Sequence, residues 1–255
     1  MAGTFEELVA EADAAAVTGW DFSWFDGRAT EERPSWGYQR LIGERLRSVG
    51  AALDIQTGGG EVLAGVPVLP PTMVATESWP PNAARATALL HPRGAVVVAD
   101  PDGSPPPPLP FADGAFDLVI SRHPATVRWA EIARVLRPGG TYLAQHVGPA
   151  TCWELVEHFL GPRPDERRLR HPDLESAAAR EAGLEIVELR TERLRMEFLD
   201  IGAVVHFLRK VVWTVPGFTS AGYHDRLLAL HRHIEEHGVF VAHSSRTLVE
   251  ARRPG

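Results

Sequence analysis

Apolar and polar positions along this chain fall into short blocks that predict helices and strands in alternation. Phe5, Leu8, Val9, Ala12, Ala15 and Ala16 recur at helical spacing behind Thr4, a good cap, so residues 4–17 read as an amphipathic helix. Residues 38–49 read as a second helix. It feeds a short apolar run, Ala52, Leu53 and Ile55, that breaks within the stretch DIQTGGG at 54–60. A buried parallel strand opening into a ligand-binding loop has this form, because consecutive glycines let the backbone approach a ligand. Glu61–Ala64 starts a short helix that Pro67, Pro70 and Pro71 cut off. Residues 73–78 make a second strand carrying Glu77, and Pro80–Leu90 an alanine-rich helix with proline in its first turn. Ala95–Ala99 is a third strand, ended by Asp100.

The stretch PDGSPPPPLP that follows is an extended, polyproline-like connector, unfit for a central strand. Residues 116–121 form a fourth strand ending in Ser121, residues 127–136 a helix, and RPGG at 137–140 a helix stop with a tight turn. Residues 142–147 make a fifth strand. Farther on, the helix at 177–182 closes at Gly183, residues 184–189 form a sixth strand and residues 246–251 a final one. Between these two strands, Asp200 is placed to cap a helix that turns Val204, Val205, Leu208, Val211 and Val212 inward. Strands alternating with helices predict a parallel sheet covered on both faces, with right-handed crossovers.

Composition narrows the class. The 255 residues are 44% hydrophobic and 23% charged, and no run approaches a membrane span, so a soluble protein is expected. The acidic N-terminus lacks the form of a signal peptide, and a single cysteine, Cys152, excludes an internal disulfide; a cytoplasmic location is the expectation. A net charge of −7 argues against a nucleic-acid partner, since the basic stretch 163–170 is diluted by Asp165 and Glu166. Neither nucleic acid nor membrane is an expected partner; a monomer or homodimer is.

The ordered set of DIQTGGG, Glu77, Asp100, LPFADGAFDLV at 109–119 and EIARVLRPGG at 131–140 resembles the class I S-adenosylmethionine (SAM)-dependent methyltransferases, in the small-molecule branch of ubiquinone-type and type 11 enzymes. The resemblance covers about residues 50–148. It implies an α/β, Rossmann-like, doubly wound and mostly parallel seven-stranded sheet with helices on both faces and an antiparallel last strand. It further implies a methyl transfer to a small-molecule acceptor, with SAM as cofactor. By the same resemblance Asp54 supports the glycine loop and the methionine end of SAM, and Gly58, Gly59 and Gly60 permit its approach. Glu77 binds the ribose and Asp100 lies near the adenine amine, with Ser121 at the end of the fourth strand grouped with them. One position departs from the family pattern of acid and three alternate glycines: Gln56 stands where the first glycine is expected. A SAM-binding protein without transferase activity is therefore an alternative. A nicotinamide oxidoreductase shares the glycine loop and acid but lacks the two later motifs.

The resemblance also divides the chain into an aromatic N-terminal arm at 1–49, a SAM-binding core at 50–148, and a C-terminal half at 149–255 with a substrate-capping insertion at about 191–245. Trp20, Trp24, Trp36, Arg122, His206 and Trp213 are candidate acceptor-binding residues, the arm and insertion forming a lid; an arm packed on the core is an equal reading. His123 and His146, at carboxyl ends of strands, are candidate bases, set against the more ordinary reading of each as a hydrogen-bonded structural histidine. His233 and His237 have metal-ligand spacing but no companion acid motif, so no metal is expected.

Overall fold

The computed structural model describes residues 3–17, 19, 22–100 and 107–255. In chain order the elements begin with α1 (Phe5–Ala14), β1 (Ala29–Glu31), α2 (Tyr38–Leu46), β2 (Ala51–Asp54), α3 (Glu61–Ala64), β3 (Thr72–Glu77), α4 (Pro80–Leu90) and β4 (Ala95–Ala99). They continue with β5 (Phe116–Arg122), α5 (Trp129–Val135), β6 (Leu136–Val147), α6 (Trp153–Leu160), α7 (Pro172–Glu181), β7 (Glu185–Phe198), α8 (Ile201–Lys210), α9 (His224–His237) and β8 (Phe240–Arg252). Hydrogen bonding orders the strands β1-β7-β8-β6-β5-β2-β3-β4. Seven of these are the expected sheet, and β1 adds an eighth at its edge. The fold is therefore the mixed α/β, Rossmann-like one.

Contacts group the chain into two compact units, one of Met1–Arg33, Pro149–Leu169 and Arg193–Ser245, the other of Pro34–Gly148, Arg170–Glu192 and Arg246–Gly255. In this grouping α2 falls with the sheet.

In the sheet-bearing unit β2 pairs in parallel with β3 and β5, β3 with β4, and β5 with β6, while β8 runs antiparallel to β6. Alternate residues of each strand point to opposite faces, and here they feed two separate cores. Ala52, Leu118, Ile120 and Leu143 join Ile42 and Leu46 of α2 and Ala86 and Leu90 of α4. Leu53, Val119, Tyr142 and Ala144 join Trp129 and Ile132 of α5 and Ala179 of α7. The turn expected at 137–140 is instead a bulge inside β6, where Phe116 pairs with Leu136 but Leu118 with Thr141.

The other unit closes α1, α6, α8 and α9 around Met196 and Phe198 at the end of β7. Thr4 caps α1 in a reciprocal box with Glu7. Asp200 caps α8 as expected, accepting from the Ala203 amide at 2.8 Å while Arg28 donates to both its oxygens at 2.8 and 3.0 Å. Close packing of α8 on α1 leaves no room at Gly202, where a Cβ would lie 2.9 Å from the Leu8 carbonyl oxygen. Among the described residues no helix is long and apolar enough to cross a membrane.

Candidate active site

The chain leaves β2 toward β3 on one side and returns through β5 on the other, so the carboxyl ends of β2 and β5 flank a topological switch point, where open α/β sheets bind ligands. Asp54, Glu77, Asp100 and Ser121 gather at these ends, all buried. The Thr57 hydroxyl donates to Asp54 at 2.7 Å. Burial nonetheless raises the Asp54 pKa to about 7, against the Thr57 hydrogen bond and with the neighbouring Glu77 charge adding to the rise. Glu77 accepts the Gly58 amide at 2.8 Å and the Trp79 amide at 2.9 Å, which pins the glycine loop to the end of β3. The Ser121 hydroxyl donates to the Ile55 carbonyl at 2.8 Å. Asp100 is held by a buried ion pair with Arg128, a residue the sequence reading passed over.

The glycines of the loop serve different ends. Gly58 has φ 65° and open space where a Cβ would project, whereas at Gly60, φ 84°, a Cβ would meet Ala86 and Leu90 of α4 at 3.1–3.2 Å. Gln56 takes the left-handed conformation too, at φ 58°. Its amide crosses the switch point: Oε1 accepts from the Ala125 amide at 2.7 Å and Nε2 donates to the Thr126 carbonyl at 2.8 Å. The structure thus gives the residue that stands at the expected glycine position hydrogen bonds of its own.

His123 also lies at positive φ, 56°, just past β5. The buried Trp36 indole donates to Gln145 Oε1 at 2.8 Å, and an indole N–H can only donate, so the Gln145 amide turns its NH2 to His123 Nε2, also at 2.8 Å. That nitrogen must therefore be the acceptor, and the ring proton sits on Nδ1. Burial, followed by the charges of Arg122 and Arg246, drives the His123 pKa well below its ordinary value. At neutral pH it is an uncharged imidazole. Trp36 is thus a buried anchor of this chain, and Arg122, the neighbour of His123 in sequence, is exposed.

His146 is buried at the end of β6, with Nε2 at 2.9 Å from the Tyr142 hydroxyl and Nδ1 at 3.4 Å from Glu175 of α7. Glu175 was not singled out from sequence. Its signal was present, because it lies four positions before the inward-facing Ala179 on one helix.

Other candidates belong to the second group of elements. His206 is 1% exposed and Trp24 stacks on it at 4.3 Å, with the Arg28 guanidinium 3.9 Å above the Trp24 ring. Burial first, then Lys210, Arg209 and Arg28, lowers the His206 pKa to about 4. Trp213 is exposed, and Trp20 lies outside the described residues. The two sets of acceptor candidates, Trp36 and Arg122 against Trp24, His206 and Trp213, therefore fall in different units. Among the described residues no three metal-ligating side chains cluster, and His233 and His237 simply stack at 4.3 Å.

A glycine loop pinned between two acid-ended parallel strands at a switch point is the ligand site of a Rossmann-like fold. Residues 53–144 match the family model described as a methyltransferase domain. The biotin biosynthesis bifunctional protein BioHC of Teredinibacter turnerae is 31% identical over 119 residues, which are 40% of this chain and only 19% of that protein. The fold is shared with a candidate methyltransferase from Bacillus halodurans, TM-score 0.58 and 18% identity, over 85% of this chain and 99% of that one. It is shared also with a functionally unknown protein from Deinococcus radiodurans R1, TM-score 0.59 and 15% identity, over 88% of this chain and 90% of that one. Residues 53–144 are thus similar to a methyltransferase domain, and the solved structures share the Rossmann-like methyltransferase fold.

Proposed function

We propose that this chain transfers a methyl group from SAM to a small-molecule acceptor, of the aromatic or secondary-metabolite kind. The observation that carries the reading is the switch-point arrangement of Asp54, the open glycine loop at Gly58, and Glu77 at the end of the neighbouring strand. These residues fit SAM: Gly58 leaves space for a ligand against the backbone, Glu77 stands where a ribose diol would be accepted, and Asp100 closes the far strand. When bound, SAM supplies an electrophilic methyl group on a sulfonium.

The protein's own part is to orient and to exclude water. Positioning of two reactants can lower a barrier by roughly 7–11 kcal/mol, so a strong base is not required. His123, neutral and protonated on Nδ1, is suited to donate a hydrogen bond to an acceptor atom, with Trp36 and Gln145 fixing its ring. Of the His146–Glu175 pair, the carboxylate is the member suited to take up a proton, since His146 Nε2 already faces the Tyr142 hydroxyl.

The amide bridge of Gln56 favours one other reading, a SAM-binding protein without transferase activity. Calorimetry with SAM, followed by assay of methyl transfer to a panel of hydroxylated and aminated small molecules, separates the two. Glu77→Ala should weaken SAM binding by about 10-fold or more, from the loss of an ionised acceptor worth about 1.5–3 kcal/mol. Unchanged SAM affinity in that variant refutes the site assignment.

A further inference from the structure

A cavity of ≈ 250 Å³ opens in the sheet-bearing unit beside the carboxyl end of β6 and the first turns of α5 and α7. Pro124, Val127, Trp129 and Leu174 give it apolar walls, and two side chains of opposite charge, Arg170 and Glu175, line it as well. Arg170 is an exposed residue whose guanidinium lies 3.5 Å from the Ala125 carbonyl oxygen. Glu175 is mostly covered, with 16% of its side-chain surface open.

The two charges are the unusual part. Among the described residues no ion pair joins Arg170 to Glu175 or to any other acid, and the only basic group paired with Glu175 is His146. That contact lies away from the cavity: His146 Nδ1 and Glu175 Oε2 face each other at 3.4 Å, and both atoms are closed off from solvent. Oε1 is not closed off in this way, so it is the oxygen through which Glu175 meets the cavity. A largely covered carboxylate calls for an opposite charge, and a guanidinium is a ready donor to a carboxylate brought to it. The cavity thus offers one anionic and one cationic contact that do not satisfy each other.

We propose that this cavity binds a small zwitterion of the amino-acid class, its ammonium on Glu175 Oε1 and its carboxylate on Arg170. An anion alone meets Arg170 but sets a like charge near Glu175, and a cation alone reverses the mismatch. An uncharged ligand covers Glu175 further and brings no counter-charge. A zwitterion answers both groups at once. The apolar walls take a hydrocarbon side chain, and the volume, just under the roughly 300–1,000 Å³ of ordinary ligand pockets, keeps that side chain small. Ala125 lines this cavity and also holds Gln56 through its amide, so the cavity borders the switch-point crevice. Binding of this kind needs neither SAM nor the methyltransferase reading.

Leucine, 3-methylbutylamine and 4-methylpentanoate share one skeleton and carry both charges, the ammonium alone and the carboxylate alone. The test titrates each separately into the full chain, following the Trp129 indole signal by NMR, with SAM calorimetry run in parallel. Leucine should saturate with an affinity about tenfold or more above that of either analogue. Glu175→Gln should erase its advantage over 4-methylpentanoate and keep that over 3-methylbutylamine; Arg170→Gln should do the reverse, a crossed pattern that general damage to the fold does not produce. Arg170 is exposed, so its variant keeps the test intact if Glu175→Gln fails to fold. Leucine binding no tighter than either analogue, or failing to saturate the folded protein, overturns the proposal whether or not SAM binds. Selectivity for leucine in a protein that fails to bind SAM supports the cavity and defeats the methyltransferase reading alone.

Discussion

Asp54→Asn isolates the cost of burying a carboxyl under the glycine loop. An Asp with the ordinary value of 3.8 that is held at about 7 differs from its exposed counterpart by about 4 kcal/mol in the work of ionising. Below pH 3.8 folded and unfolded chains both keep the proton, and the residue contributes no pH dependence. Between 3.8 and about 7 the unfolded chain has released it while the folded one retains it, so stability falls as pH rises through this window and is level above it. Asparagine cannot ionise, and its carbonyl oxygen still accepts the Thr57 hydroxyl that now reaches Asp54. The variant's advantage over wild type should therefore grow with pH, gaining up to about 4 kcal/mol between pH 4 and pH 8. Urea unfolding of both proteins at pH 4, 5.5, 7 and 8 measures it, and the difference between them removes every titration the two share. A difference that stays constant across this range, or that turns against the variant at pH 8, refutes the burial argument.

Three further outcomes are expected. Gln145→Leu removes the amide that sets the His123 ring, so 15N NMR should show a single Nδ1-protonated tautomer in the wild type and a mixture in the variant; an Nε2-protonated wild type contradicts the Trp36–Gln145–His123 chain. His206, lowered to about 4, should hold constant ring chemical shifts from pH 8 to pH 5.5, and a titration midpoint above 6 contradicts its burial beneath Trp24. Because the folded state resists its protonation, His206 withdraws stability as pH falls from 6.5 toward 4. Gln56→Ala should destabilise the protein by about 1–3 kcal/mol, Gln56→Gly by distinctly less, and both should speed hydrogen exchange at the Ala125 amide.

Local chemistry made several helix boundaries legible. Proline at the first turn of α4, Asp200 before α8 and Thr4 before α1 each act within a few residues, and those boundaries fall where capping and backbone sterics put them. The strands β7 and β8 run farther than expected, to Phe198 and from Phe240, because their outer halves are buried only by residues distant in sequence. β1 escaped notice for the same reason: three residues, Ala29–Glu31, take strand form by pairing with β7, and nothing in their own pattern asks for it. At the site, Asp54 and Glu77 were readable since each ends an apolar run. Arg128 and Glu175 were not, for a charged residue on a helix is ordinarily solvated, and only the opposing Asp100 and His146 make these two different.

Gln56 shows how a glycine-rich loop tolerates a side chain at a left-handed position. An L-residue in the left-handed region costs about 1–2 kcal/mol relative to glycine, a penalty that glycine's wider freedom in the unfolded chain partly cancels. Two neutral hydrogen bonds return about 1–3 kcal/mol, and both run to the backbone of residues 125 and 126 rather than to a side chain that could swing away. The terms nearly offset, so glutamine is acceptable at this position because of the loop it reaches, and alanine, with the backbone cost and no bridge, is the residue the position should reject. The same two bonds fix the segment after β5 that carries His123 and Ala125. The departure from glycine therefore couples the loop that would hold the cofactor to the wall of the cavity beside His146, and a ligand that opens the bridge must do so at the expense of that wall.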